Sequence, residues 1–201
     1  SPTNIVSSIM PTTFMVGDTI WNISNGEISL QNNKHHIKNL TLNTSQQQLT
    51  IDGSLSSYQQ DQLHLKLKNL NIGYILNNIK FNSVLFDGDV SGDAYISLSP
   101  NAPLLQTDIK VKSFHFNDAL LGDAKIASSW ESVKDRIAID GIFIEDGVAS
   151  TNVKGYISPS ENGLDLQITA QNTNIAFLRY WIDNIVKDIS GKTRGNCRLY
   201  G

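Results

Sequence analysis

The sequence predicts a mainly β protein, a curled antiparallel meander shaped like a trough, with an apolar inner face and two short amphipathic helices. Three observations predict it. Apolar and polar residues alternate over most of the chain, as in "LHLKLK" and "LDLQITA". Turn-forming clusters such as "SNG", "SPNAP", "EDG" and "SPSENG" separate the alternating runs. Two segments abandon the alternation for helical spacing. Side chains along a strand point to opposite faces in turn, so each alternating run has one oily and one wet face.

Taken in order, Ile28 and Leu30 share one side of the first clear run, and Leu40 and Leu42 share one side of the next. Leu49, Ile51, Gly53 and Leu55 follow, then Leu63, Leu65 and Leu67, with His64, Lys66 and Lys68 opposite them. In "DIKVKSFHF", Ile109 aligns with Val111, and Phe114 with Phe116 after a one-residue shift that marks a bulge. Ile126, Ser128 and Trp130 align, then Ile137 with Ile139, Val153 with Gly155 and Ile157, and Leu164 with Leu166, Ile168 and Ala170. The first helical stripe is Ile72, Ile75, Leu76 and Ile79; the second is Leu178, Trp181, Ile182, Ile185, Val186 and Ile189. Asn71 and Asn174 stand where N-caps belong.

A longer self-similarity underlies this order. Asn172, Asn174, Ile175, Gly191 and Gly195 each lie 103 positions after Asn69, Asn71, Ile72, Gly88 and Gly92. A fixed period of this kind signals stacked units that bury a common core. The expected organisation is therefore repeat units at roughly 49–98 and 151–201, joined by strands over 104–146. The final "CRLYG" reads as a strand cut short, so the chain, 1–201, is expected to be a fragment of a larger repeat-built β domain.

Composition narrows the function. Net charge is −3 and the 16 Lys and Arg are scattered, which argues against nucleic acid and against a polybasic membrane anchor. The lone cysteine, Cys197, allows no intrachain disulfide and reads as a small strand residue. No run approaches the ~20 apolar residues of a membrane-spanning helix.

No constellation of catalytic residues emerges, and none of a cofactor or metal site. "DGDVSGD" fills the first, third, fifth and sixth places of a calcium loop at Asp87, Asp89, Ser91 and Gly92, but the twelfth place is Leu98 where a bidentate Glu is required. His35 and His36 are strand neighbours facing opposite ways, and His64 and His115 lie on polar sides, so solvated histidines are expected. No nucleophile elbow, phosphate loop or dinucleotide fingerprint occurs, so the chain reads as no enzyme. Trp21, Trp130 and Trp181 raise sugar stacking as the alternative, a surface glycan-binding or adhesion β-sandwich.

From Leu104 to Gly201, a strand ending in Trp130, then "RIAIDGIFIEDG", "VKGYI", "LDLQITAQNTNI", an amphipathic helix and "DISGKTRGNCRLYG" together resemble the C-terminal region of TamB-like translocation and assembly module proteins, the DUF490-type family. The stretch from "IWNIS" to "LTIDGSL" is similar to the part of that family in which a Trp opens a run of short strands, and the Asn-rich style resembles a Bacteroidetes member. The resemblance implies a periplasmic protein, anchored to the inner membrane by a segment outside these residues and related to AsmA- and chorein-type lipid carriers. It also implies a BamA-type outer-membrane barrel as partner and a role in outer-membrane biogenesis, with no catalytic residue to carry over. On this view the oily face serves lipid acyl chains or nascent outer-membrane strands, for phospholipid transport or outer-membrane protein assembly. The expected lining is Leu63, Leu65, Leu67, Ile109, Val111, Ile137, Ile139, Leu164, Leu166 and Ile168.

Overall fold

A computed structural model describes residues 4–16, 18–24, 26–58, 60–73, 85–99, 104–116, 119–158, 160–161, 163–179, 185 and 188–201. The chain is mainly β, an open, curled antiparallel sheet, which is the fold class expected from the alternation. Its strands are β1 (Asn4–Ile9), β2 (Thr12–Val16), β3 (Thr19–Ile23), β4 (Gly26–Gln31), β5 (Lys34–Asn43), β6 (Gln48–Leu55), β7 (Leu63–Asn71), β8 (Phe86–Ser97), β9 (Leu104–Phe116), β10 (Ala119–Glu131), β11 (Arg136–Glu145), β12 (Val148–Ser158), β13 (Gly163–Asn174) and β14 (Lys192–Tyr200). From β4 onward, sequence neighbours are sheet neighbours, as a meander requires. The chain divides into two compact units, Ser1–Leu70 with Ser91–Thr107, and Asn71–Val90 with Asp108–Gly201.

In the first unit the start departs from a meander. β1 pairs with β4, while β2 pairs with β3, and β3 joins β5 through Asn22–Asn43 and Ile23–Leu42. A bulge in β5 makes this possible. Its register with β6 shifts between Ile37 and Leu40, and Asn39 takes a left-handed φ of 53°. Lys34–Lys38 then serves β4, and Leu42–Asn43 serves β3.

The same device recurs. Asn39, Asn69 and Ser113 all have φ near +50°, and each gives its backbone N–H to a side chain of the next strand: Asp52 Oδ1, Ser91 Oγ and Asp123 Oδ1. At each bulge the buried or half-buried apolar positions jump by three, Ile37 to Leu40, Leu67 to Leu70 and Val111 to Phe114. The extra residue restores the oily side to one face after the strand bends. The shift expected in "DIKVKSFHF" is therefore a bulge at Ser113.

Close strand approach also needs glycine. At Gly53, φ is +120° and a Cβ would run into the backbone carbonyl of Gln62. Only a residue without a side chain fits there.

In the second unit the same hydrogen-bonded neck occurs twice. The Ile72 N–H donates to the Gly88 carbonyl at 2.9 Å, and the Ile175 N–H to the Gly191 carbonyl at 3.1 Å. Asn71 Oδ1 accepts from the Gly73 N–H at 2.8 Å and Asn174 Oδ1 from the Ala176 N–H at 3.0 Å. Gly88 and Gly191 both have positive φ. Each of these pairs is separated by 103 positions.

The two amphipathic helices are not borne out. Most of the first stripe falls on residues 74–84, outside the described residues. Where the second was expected, the described residues form a 3-10 turn, Ile175–Leu178, capped by Asn174, and 180–184 and 186–187 lie outside the described residues. Helical spacing reports which residues share a side; it does not fix the hydrogen-bond ladder.

Removing a neck cap tests this account. Asn174→Ala should lower stability by about 1 kcal/mol, the usual cost of a lost cap, read as a lower urea midpoint, and Asn71→Ala should cost a similar amount.

Candidate functional site

The candidate site is the apolar face of the sheet. In the second unit, residues facing each other across β10–β14 form rows on that face. Trp130, Ile137, Ile157 and Leu164 make the first. Ser128, Ile139, Gly155, Leu166 and Leu199 make the next, and Ile126, Gly141, Val153, Ile168 and Cys197 the third. Ala124, Phe143, Thr151, Ala170 and Gly195 make the last. Cross-strand partners always share a face.

The opposite face is polar and held by charge. Asp140 pairs with Lys154 at 2.9 Å. At one end a belt crosses five strands. Glu131 on β10 holds Arg136 on β11 at 2.6 Å, and the Arg136 guanidinium lies 3.9 Å over the Tyr156 ring on β12. Asp165 on β13 takes a two-pronged contact from Arg198 on β14, both distances 2.7 Å. Arg198 holds the Asp165 carboxyl below the ordinary carboxylate range, and Arg136 does the same to Glu131.

Burial along the apolar face is graded. Near the exit of β13, Ala124 is 1% exposed, Thr151 7% and Thr173 5%. Thr173 hydrogen-bonds the Thr151 hydroxyl and donates to the Ser150 carbonyl. The turn Ile175–Leu178 then reaches β10, three strands away in the sheet. Phe114 meets Phe143 with ring centroids 5.2 Å apart, although β10 runs between their strands, so this face is the concave one. Further along, Ile137, Ile139, Ile157, Leu164, Leu166 and Ile168 are only half-buried. A facing layer would seal such residues; here strand neighbours cover them in part.

One polar atom on this face stands out. Trp130 belongs to the row farthest from the turn, and its indole Nε1 is shielded from water with no hydrogen-bond partner among the described residues. An unsatisfied buried donor costs about 1–3 kcal/mol.

In the first unit the rows are Ile28–Ile37–Gly53–Leu63, Leu40–Ile51–Leu65 and Leu42–Leu49–Leu67. Leu63, Leu65 and Leu67 thus share one half-buried face, as the sequence reading groups them. In the second unit Ile137, Ile139, Leu164, Leu166 and Ile168 also fall on one face. Ile109 is half-buried, but Val111 is fully buried against the strand of Gly88 and belongs to the wall. Missing from the expected lining are Ile126, Phe143, Val153 and Ile157, whose alternation carried the signal.

Several residues land elsewhere than expected. His35 and His36 do face opposite ways: His35 joins the apolar row of Leu30 and Leu55, while His36 Nδ1 meets Ser54 Oγ at 2.9 Å. His64 is partnered by Asp93 at 2.6 Å and stacked on Tyr95, so simple solvation is not its state. Asp87 accepts from Asn71 Nδ2 and the Gly88 N–H, which makes it a brace of the neck. Cys197 is exposed on β14, which among the described strands pairs with β13 alone. Trp21 is 5% exposed, which leaves no open ring for a sugar; Trp181 lies outside the described residues.

Among the described residues no group of His, Cys, Asp and Glu is placed to hold a metal ion, and no helix is long and apolar enough to cross a membrane. Comparison with family models, with curated proteins and with solved structures finds no match to this chain.

The ionic belt makes an acid-sensitive edge. Both carboxyls titrate below their ordinary values in the fold. Their contribution is therefore complete above the ordinary carboxylate range, about pH 4, and fades as pH falls through the lowered values. Amide protection in β14, taken relative to the intrinsic exchange rate at each pH, should fall on going from about pH 6 to about pH 3 before that of β11 and β12 does. Asp165→Asn should remove most of that acid dependence.

Proposed function

We propose that this chain is a non-catalytic module of a bacterial envelope protein, whose concave apolar face receives lipid acyl chains for transport across the periplasm. The observation that carries this reading is the unsealed run of rows from Trp130–Leu164 to Ile126–Ile168, half-buried on a sheet whose other side is polar and ion-paired.

The energetics favour a guest without directional chemistry. Full burial of a Leu or Ile side chain is worth about 1.5–3 kcal/mol, so half-buried rows leave a substantial part of that unrealised. Each methylene of a guest removed from water there contributes about 0.8 kcal/mol. An acyl chain needs no hydrogen bonds, which suits a surface that offers almost none. Contiguous exposed apolar strips of this kind mark binding surfaces.

What supports the periplasmic setting, the inner-membrane anchor outside these residues and a BamA-type barrel partner is the resemblance to TamB-like proteins. The same apolar face would also accept one side of a nascent outer-membrane strand. Its curvature, concave where Phe114 meets Phe143, favours a flexible chain over a flat strand.

Leu166→Arg places a charge in the middle of the second row and should reduce lipid capture more than tenfold, read by organic extraction and native mass spectrometry of the purified chain. Gln167→Arg, on the polar face, should leave capture unchanged. A Leu166→Arg protein that keeps its β-sheet circular dichroism and still carries lipid at the parent level would sink the reading.

A further inference from the structure

We infer that the apolar face of the first unit takes acyl chains headed by a phosphate, and that His35, set in the last row of that face, meets the phosphate. This inference rests on the acyl-binding reading above and adds to it the charge of the headgroup and the residue that recognises it.

The placement of His35 is the starting observation. Leu30 on β4 and Leu55 on β6 stand opposite it across the strands, and Ile5 on β1 extends the same row. Cross-strand partners share a face, so the imidazole stands on the oily side. On β4–β7 the next three rows are Ile28–Ile37–Gly53–Leu63, Leu40–Ile51–Leu65 and Leu42–Leu49–Leu67, with no polar side chain among them. The turn between β4 and β5 lies just beyond the His35 row, with Asn32 and Asn33 both exposed. His35 therefore marks the rim where the oily rows meet a polar turn.

The ring is within reach of a guest. His35 is exposed, whereas Leu30 and Leu55 beside it are half-buried. The other three histidines are engaged by the protein: His36 by Ser54, His64 by Asp93 and His115 by the Ser113 carbonyl.

The surroundings suit an anion. β1 carries no charged residue. Glu27 on β4 and Asp52 on β6 face the opposite side, across from Lys38 and His64. The chain neighbours of His35 face that side too: Lys34, held by Asp61, and His36. No carboxylate of β1, β4, β5 or β6 shares the face with His35 to repel a phosphate. An imidazole changes charge between about pH 5 and 8, and only its protonated form is a cation with two N–H donors. An acyl chain laid over the leucine and isoleucine rows brings its headgroup to one end of them, and the His35 row is the end with a group that answers a negative charge.

Lysolipids that share one tail and differ in head test this, each used below its micellar concentration. Lysophosphatidylglycerol is the anionic probe and a monoacylglycerol the neutral one. The purified chain should bind the anionic probe about fivefold more tightly at about pH 5.5 and about equally at about pH 8.5, the size of one solvent-exposed charge pair. His35→Gln should abolish the difference at the lower pH and leave affinity for the neutral lipid unchanged. His35→Arg should carry the preference to the higher pH. Equal affinity for the two heads at both pH values overturns the role of His35, as does a preference that survives His35→Gln. Failure of both lipids to bind overturns the acyl reading itself, which keeps the two failures distinct. Inorganic phosphate should not displace the anionic lysolipid; displacement would assign the site to free phosphate and overturn the headgroup assignment.

Discussion

A sheet that is oily on one side must cover that side or use it, and the rest of this structure answers to that constraint. Rows such as Ile137–Ile157–Leu164 are too apolar to be left to water at no cost and too open to be a finished core. The chain buries Ala124 and Thr151 at one end and leaves the other rows half-buried. Ion pairs on the opposite face hold the strands together without competing for the concave side.

Keeping the oil on one side of a curving sheet requires repeated correction. Each strong bend puts side chains out of phase, and one extra residue restores the phase. Asn39, Asn69 and Ser113 supply that residue in a left-handed conformation, and the neighbouring strand supplies a hydrogen-bond acceptor for its N–H. Asn adopts this backbone region more readily than most residues, and the side-chain acceptor keeps the freed N–H from being stranded. The bulges and the close approach at Gly53 therefore serve one end, a curved sheet whose apolar side stays continuous within each unit.

The matching necks suggest how such a sheet is elaborated. An Asn cap and an Ile N–H donating to a Gly carbonyl form the same neck at Asn71–Gly88 and again at Asn174–Gly191. The neck leaves the sheet's ladder free to resume directly afterwards, so the interruption costs the sheet little. The second neck opens directly into the turn Ile175–Leu178, which reaches β10.

How much was legible in the residues depends on whether the signal is local. Alternation alone grouped Leu63 with Leu65 and Leu67, and Leu164 with Leu166 and Ile168, because strand geometry forces side chains apart at a period of two. It marked the shift at Ser113, where apolar residues flank the jump on both sides. The shift at Asn39 was hidden, since "KHHIKN" offers one apolar residue from which to judge phase, and the shift at Asn69 merged into the helical spacing that follows it. The chain's own order also could not place β1 beside β4, put a turn across from β13 to β10, or bury Val111 while leaving Leu166 half-open. The sequence by itself determined which residues are oily and, from β4 onward, which strands neighbour one another, because those follow from nearest neighbours along the chain. Only the tertiary structure decided which part of the oily face is covered, because cover comes from segments far apart in sequence that meet when the sheet curls.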